Sequence, residues 1–553
     1  PRSTLFPYTT LFRSNQRLPL EFLFLRSNFS GKKKKLIYQN KTMAVKVFSA
    51  SPLGMDGKII EIEVDSSSGQ AVFNIVGLPD AAVKESQDRV SSAIRNSALR
   101  APYFYGRITV NLAPADLRKE DPGFDLPIAL GVLLETGQVD NIPEDACFLG
   151  ELALDGRLRP VKGALPIAIS LKEKGFNRFF LPKENAEEAN LTEDLEIYPI
   201  ETLAQLIDHF SQTKKVFPLK KNQNYFKDLA EIEPIHDFCF IKGQEHAKRA
   251  LEIAVSGGHN ILLSGPPGSG KTMLAQSIPS IMPPLSIEEA FEVTKIYSIS
   301  GKTNSDNPFI KERPFRAPHH SASAASLVGG GTFPRPGEIS LANRGVLFLD
   351  EFPEFPKEVI ENLRQPLENG EISIARAQGA LTFPANFILV AAMNPCPCGN
   401  ATDPEKRCVC HPAQIARYRQ KLSGPIMDRI DLHIEVPRLK FEKLSSNHLS
   451  EKSKSIRTRV VKARVIQKNR FKKSQRNFIT NSEMDSKSLR EFCAIGEQER
   501  QLLQTAVRQM NLSPRGYHRL LKVARTIADL AESEKITVTH LAEAIQYRFR
   551  DEV

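Results

Sequence analysis

The run Gly265-Pro266-Pro267-Gly268-Ser269-Gly270-Lys271-Thr272 constrains the fold more than any other stretch, because it has the form G-x-x-x-x-G-K-[ST]. Ile261 to Ser264 before it is a short apolar run, predicted to be a buried strand. Met273 to Ile278 after it is predicted to open a helix. A strand, a glycine turn and a helix N-terminus together aim backbone N–H groups at an anion. In this reading the loop Gly265–Gly270 cradles the phosphates of ATP, Lys271 reaches the outer phosphates, and Thr272 holds Mg²⁺.

A second apolar run, Gly345 to Leu349, ends in Asp350 and Glu351, the Walker B pattern. A buried parallel strand delivers such an end to a nucleotide crevice. Asp350 is predicted to join Thr272 around Mg²⁺, and Glu351 to polarise an attacking water. A third run, Phe387 to Met393, ends in Asn394, whose amide suits the γ-phosphate or that water.

The 553 residues carry a net charge of +11, which suits a polyanionic partner without naming a site. No apolar run approaches the roughly 20 residues of a membrane span. Seven cysteines are too few for a disulfide scaffold, but Cys396, Cys398, Cys408 and Cys410 form C-x-C, nine residues, C-x-C. Four thiolates suit a closed zinc site, although the usual spacing is C-x₂₋₄-C. Reduced thiols in a proline-braced loop are the other reading, and His411 is a substitute ligand.

Residues 1–42 lack periodicity and read as a non-native or disordered leader, or else as a basic arm around Lys32 to Lys35. Residues 43–210 read as one α/β domain, with strands near 59–64, 72–76 and 107–112 and helices near 81–98 and 126–134. Residues 211–235, with Lys214, Lys215, Pro218, Lys220 and Lys221, read as a linker. Residues 236–440 hold the nucleotide motifs, and 441–553 are predicted to be helical.

Gly150-Glu151-Leu152-Ala153-Leu154-Asp155-Gly156-Arg157-Leu158-Arg159-Pro160-Val161 resembles the proteolytic domain of Lon peptidases, which has a ribosomal-protein-S5-like fold and a serine–lysine dyad. The serine's place after Lys119-Glu120-Asp121-Pro122 is Gly123, and the lysine's falls near Leu165. Neither can act as nucleophile or base, so a Lon-like fold without peptidase activity is expected.

The nucleotide motifs resemble those of AAA+ ATPases, with Ile241 to Ala247 as the usual lead-in and Asn394 at the sensor 1 position. Ser423-Gly424-Pro425-Ile426-Met427-Asp428-Arg429-Ile430-Asp431-Leu432 resembles the arginine-finger segment of the Mg-chelatase and MCM branch. That likeness implies that Arg429 reaches a neighbouring subunit's nucleotide in a homo-oligomeric ring, a hexamer. The other reading of Arg429 is an ion pair with Asp428 or Asp431. Arg515, in Leu512-Ser513-Pro514-Arg515, falls at sensor 2 with Arg519 in reserve, and 441–553 corresponds to the helical lid.

Arg313-Pro314-Phe315-Arg316-Ala317-Pro318-His319-His320, Gly329-Gly330-Gly331, Pro336-Gly337-Glu338 and Asn394-Pro395-Cys396-Pro397-Cys398-Gly399 resemble the ComM/YifB family of Mg-chelatase-like AAA+ ATPases over roughly residues 43–550. The resemblance implies a cytoplasmic bacterial ring ATPase and a DNA helicase that drives branch migration on branched or single-stranded DNA. A predicted hairpin over 371–383 carries Arg376 at its turn, placed to meet phosphate in a pore. The His319-His320 loop reads as a structural or DNA-facing element. Lys452 to Arg476 holds eleven Lys/Arg and no acid, read either as a duplex-binding face or as a solvated helix face. The rival functions are a chelatase-like remodelling ATPase acting on a protein partner and an ATP-dependent protease-like protein.

Overall fold

The computed structural model describes residues 44–77, 85–114, 122–140, 142–221, 236–303, 305–331, 335–376, 379–403, 405–422, 424–439, 449–474 and 478–548, the side chains of 375, 376 and 379 excepted. The expected leader, Lys119 to Asp121, residues 222–235 of the linker, the Arg376 side chain, Ser423 and residues 441–448 lie outside these.

Alternation of apolar and polar residues builds the first sheet. Strands β1 (Val45–Leu53) and β2 (Asp56–Ser67) pair antiparallel, with Val45 opposite Val64. Ile60, Ile62 and Val64 point into the core, while Glu61 and Glu63 face outward beside Lys46. With β3 (Val72–Val76), β4 (Arg107–Ala113), β5 (Ala146–Phe148), β6 (Arg178–Pro182) and β7 (Glu196–Ile200), the order is β3-β4-β2-β1-β5-β6-β7. Helices α1 (Ser86–Asn96) and α2 (Asp125–Glu135) share one apolar cluster with this sheet. Helix α3 (Ala164–Glu173) belongs to a second cluster, with Ala50, Cys147 and Phe179.

The second sheet is wholly parallel, and its inner strands are buried, as their continuous apolar runs require. Its strands β8 (Ile261–Ser264), β9 (Phe315–Arg316), β10 (Val346–Leu349), β11 (Ile388–Met393) and β12 (Leu432–Glu435) run in the order β9-β10-β11-β8-β12. Helices α4 (Glu245–Gly257), α5 (Lys271–Ile281) and α6 (Ile287–Ile299) accompany it. The predicted hairpin is present as Glu371–Arg376 against Gly379–Pro384, with Arg376 opposite Gly379.

The two sheet systems meet along α3 and α6. Leu165 and Leu191 pack with Leu285, Ala290 and Phe309. Buried Glu188 accepts from Leu165 N at 3.0 Å and from Thr303 Oγ1 at 2.7 Å. Burial raises the Glu188 pKa against these lowering hydrogen bonds. Lys221, from the stretch whose composition reads as linker, donates to the carbonyls of Asn190 at 3.3 Å and Leu195 at 3.0 Å. That stretch therefore begins as an attached strap on the first sheet.

Helices α7 (Ser453–Lys473) and α8 (Pro514–Leu530) complete the core against α4 and α5. Several arginines of the basic stretch point inward, while Lys452, Lys454, Lys462, Lys468, Lys472 and Lys473 keep the solvated helix face that one of its readings expected. Arg457 donates to Ser280 O at 2.6 Å, near the end of α5, and Arg464 to Val255 O at 2.7 Å, near the end of α4. Carbonyls left unpaired at helix C-termini, and the dipole there, attract cations. Arg470 pairs with Asp529, and Arg459 with Glu252 and Glu451. Lys462, 63% exposed and 3.4 Å from Glu532, shows the outward face that remains. Among the described residues no helix is long and apolar enough to cross a membrane.

Candidate nucleotide site

The loop after β8 owes its shape to its glycines. A Cβ on Gly265 would lie 2.2 Å from Val436 O, so only glycine lets the loop pass β12. Gly268 and Gly270 have φ of +75° and +93°, a region that favours glycine. Added side chains there would meet nothing within 4 Å, so the loop opens onto free space.

Lys271 begins α5 and is 8% exposed. Its ammonium donates to Gly265 O at 2.6 Å, Pro266 O at 3.0 Å and Asn394 Oδ1 at 3.3 Å. Burial pulls its pKa below the ordinary lysine value, opposed by the Asp350 charge. Thr272 Oγ1 donates to Asp350 Oδ2 at 3.0 Å, and the Glu351 amide donates to Asp350 Oδ1 at 2.9 Å. Thus Lys271, Thr272, Asp350, Glu351 and Asn394, drawn from three strand ends, are brought together. Strand order does this, because β10, β11 and β8 are successive neighbours whose C-terminal ends face one way.

The residues suit a nucleotide phosphate and its Mg²⁺. Ser269 Oγ is buried in the loop without a partner, and Thr272 with Asp350 presents a hydroxyl and a carboxylate, the hard oxygen donors this ion prefers. Pro267 is an exposed rim residue of the loop, whereas Pro266 is buried.

Glu351 is held with φ +52° and ψ 43°, a left-handed conformation costing a non-glycine residue roughly 1–2 kcal/mol. His320 Nδ1 lies 3.1 Å from its Oε2. The reading of the His319-His320 loop as a structural or DNA-facing element did not name this neighbour. β9 is the neighbour of β10, so the loop leaving β9 comes over the end of β10, and His320 stands beside Glu351. Gln244 was likewise missed. Its amide spans Pro437 O at 2.7 Å and Ser269 O at 3.3 Å, tying the phosphate loop to the chain after β12. Only its place in the lead-in hinted at this.

Arg429 and Arg515 form a separate group. Arg429 is 6% exposed, donates to Pro425 O at 2.6 Å, and is paired with Glu368. Its same-chain acid is therefore Glu368, rather than Asp428 or Asp431. Burial lowers its pKa, and the charges of Arg515 and Arg364 add to that. Arg515, 63% exposed, lies 3.5 Å from the same Glu368. Asp431 instead binds Arg519 at 2.6 Å, a pair with a buried carboxylate that joins α8 to the end of the sheet. Burial raises the Asp431 pKa, but Arg519 and His259 outweigh it and hold the carboxyl far below the usual range. Arg519 is thereby committed to structure. Among the described residues, no hydrogen bond or ion pair links Arg429 or Arg515 to Lys271, Thr272, Asp350, Glu351 or Asn394.

In the loop after Asn394, the sulfurs of Cys396, Cys398, Cys408 and Cys410 lie within 4.8 Å of one another. His411 stands outside this set and caps the helix Pro412–Arg419.

Comparison with known proteins agrees with this geometry. Residues 237–444 match the family model "Magnesium chelatase, subunit ChlI", residues 62–185 match "Subunit ChlI of Mg-chelatase", and residues 450–548 match the C-terminal model of the same subunit. The chain is 45% identical over 510 residues to the competence protein ComM of Haemophilus influenzae, covering 91% of this chain and 97% of that protein. It is 42% identical over 507 residues to YifB of Escherichia coli, covering 91% and 97%. It is 26% identical over 256 residues to the magnesium-chelatase 67 kDa subunit of Heliobacterium mobile, covering 41% and 37%. With three matched models and such identity along nearly its whole length, the chain belongs to the ComM/YifB family of magnesium-chelatase-like AAA+ ATPases.

Proposed function

We propose that this chain is a ring-forming cytoplasmic ATPase, hexameric in its working state, that couples ATP hydrolysis to movement along branched or single-stranded DNA, and that it drives branch migration in recombination or natural transformation. The observation that carries the reading is the convergence of Lys271, Thr272, Asp350, Glu351 and Asn394 at one sheet edge. Similarity to a competence protein supplies the DNA context.

In this reading Lys271 leaves the loop carbonyls for the β- and γ-phosphates. Thr272 and Asp350 hold the Mg²⁺ that neutralises phosphate charge. Glu351 accepts a proton from the attacking water, and Asn394 orients that water or the γ-phosphate. Arg429 exchanges Glu368 for the nucleotide of an adjacent subunit, and Arg515 acts beside it. Arg376 at the hairpin turn meets DNA phosphate. Residues 43–210 form a Lon-like domain lacking the dyad, since Gly123 has no hydroxyl and Leu165 is buried. Residues 211–235 link it to the ATPase domain at 236–440, and 441–553 form the lid. The four-cysteine loop takes Zn²⁺.

The second reading, a chelatase-like subunit remodelling a protein partner, is favoured by the matched family models. ATP turnover and movement of a four-way DNA junction by the full chain, with Glu351→Gln as control, separate the two. ATP-dependent junction movement absent from the control supports the motor. Turnover indifferent to every DNA tried would sink it and turn the search to protein partners.

A further inference from the structure

The loop that follows Asn394 brings four cysteines together from two positions far apart in its sequence. Cys396 Sγ lies 3.4 Å from Cys398 Sγ and 3.7 Å from Cys408 Sγ, and Cys398 Sγ lies 3.6 Å from Cys408 Sγ. Cys410 Sγ accepts from the Cys398 amide at 3.4 Å. Four sulfurs each about 2.3 Å from a tetrahedral centre would lie about 3.8 Å apart, close to the spacing found. All four are free thiols rather than disulfides. Cys396 is fully buried, and the other three are half-buried, so one shell of the cluster faces the protein and the other its rim.

The loop also abuts the phosphate-binding machinery. Cys396 is two residues beyond Asn394, which accepts from Lys271. A Cβ on Gly399, next to Cys398, would lie 2.5 Å from Cδ of Pro267 in the phosphate loop and 3.9 Å from Cγ of Asn394. Backbone is therefore packed directly on the loop wall. On the other side, Asp403 and Glu405 each lie 3.5 Å from Arg438, one residue after Pro437, whose carbonyl anchors Gln244 and through it Ser269. The cysteine loop thus touches the nucleotide loop by two routes.

We propose that Cys396, Cys398, Cys408 and Cys410 bind a single zinc ion as a closed tetrathiolate site, and that this site braces the phosphate loop and Asn394 so that nucleotide affinity depends on the metal. The second half rests on the nucleotide reading of Gly265–Thr272. On binding, four thiols release four protons to solvent and four zinc–sulfur bonds form, with no electron transferred. Four protein ligands leave no coordination position for water or substrate, so the ion is structural. Without it, the loop between Gly399 and Arg407 has few apolar anchors to hold Gly399 against Pro267.

The test uses the full chain. Zinc released by a mercurial reagent is expected at one per chain, lost in Cys408→Ser and Cys410→Ser and kept in Cys239→Ser, whose cysteine lies elsewhere. Cobalt exchanged into the site is expected to show thiolate-to-cobalt and tetrahedral d–d absorption. A fluorescent ATP analogue is expected to bind about tenfold or more weakly to the serine variants, since a small displacement of a positioned loop has effects of this size. Cys410→His, which restores a ligand, is expected to recover both zinc and affinity. If the serine variants do not fold, stripping zinc from folded wild-type chain with mercurial and chelator gives the same comparison. Purified chain with four reactive thiols and no zinc, or an iron chromophore instead, would overturn the site. Metal-free chain with unchanged nucleotide affinity would overturn the brace. Zinc-loaded wild type that binds no nucleotide would overturn the nucleotide reading and the brace together, leaving the metal site standing.

Discussion

At the edge of the five-stranded sheet, the polar side chains of Lys271, Thr272, Asp350, Glu351 and Asn394 face one another and open space. At Gly123 and Leu165 of the seven-stranded system, where the proposed Lon likeness would put a dyad, the chain offers only backbone and a side chain sealed against α6. The polar group nearby, Glu188, is consumed by Leu165 N and Thr303. One region keeps its polar groups available at a cost in strain, visible at Glu351. The other spends them on joining two parts of the chain. A polar cluster sealed between two parts of the chain is architecture, whereas one that faces open space, as beside Gly268 and Gly270, can receive a ligand.

The contrast can be broken most sharply at Glu351. Glu351→Gln is expected to lower ATP turnover by about 10²–10⁴-fold, the range for losing a general base, with nucleotide binding retained. Steady-state turnover beside analogue binding checks it, and near-normal turnover would remove Glu351 from the chemistry. On the other side, Leu165→Ala is expected to cost about 2–5 kcal/mol of stability through the cavity it leaves. Urea unfolding reads this, and Gly123→Ser is expected to create no peptide hydrolysis.

Thr303→Val should be smaller, about 1–3 kcal/mol, because it removes one hydrogen bond from a buried carboxyl. Turnover should stay near wild type, and a large loss of turnover instead would mean that the α3–α6 contact transmits to the nucleotide site. The remaining effect is one of pH, read as a slope rather than a single step. Burial, with the Arg548 charge, pushes His433 down to about 3 from an ordinary 6.5. Its folded value is depressed, so the unfolded chain takes up a proton first as pH falls. Stability present above about 6.5 should therefore drain away between 6.5 and 3, by at most about 1.4 kcal/mol per pH unit. Thermal unfolding of His433→Phe should show a shallower acid slope, and an unchanged slope would assign the proton elsewhere.

The nucleotide loop, the two acid-tipped strands and the hairpin were legible because each is a contiguous pattern whose meaning depends on neighbours in sequence. His320 beside Glu351, Gln244 beside Ser269 and Glu368 beside Arg429 were not. Each pairs residues 25 to 61 positions apart or on different strands, and only sheet order brings them together. The inward turn of two arginines in the basic run was hidden for a related reason. Composition counts charge but not direction, and helix ends of another segment turned Arg457 and Arg464 inward, desolvation lowering the Arg464 pKa to about 10.

By itself, the sequence determined the residue types at the phosphate loop, the absence of a nucleophile at Gly123, and four cysteines in one loop. Local backbone preference and short-range spacing suffice for these. Which acid restrains Arg429, which ring touches Glu351, and that the cysteine loop lies on Pro267 were decided by tertiary structure alone. Parallel strands joined by crossovers bring distant loops to one edge, and no local pattern records which loops become neighbours.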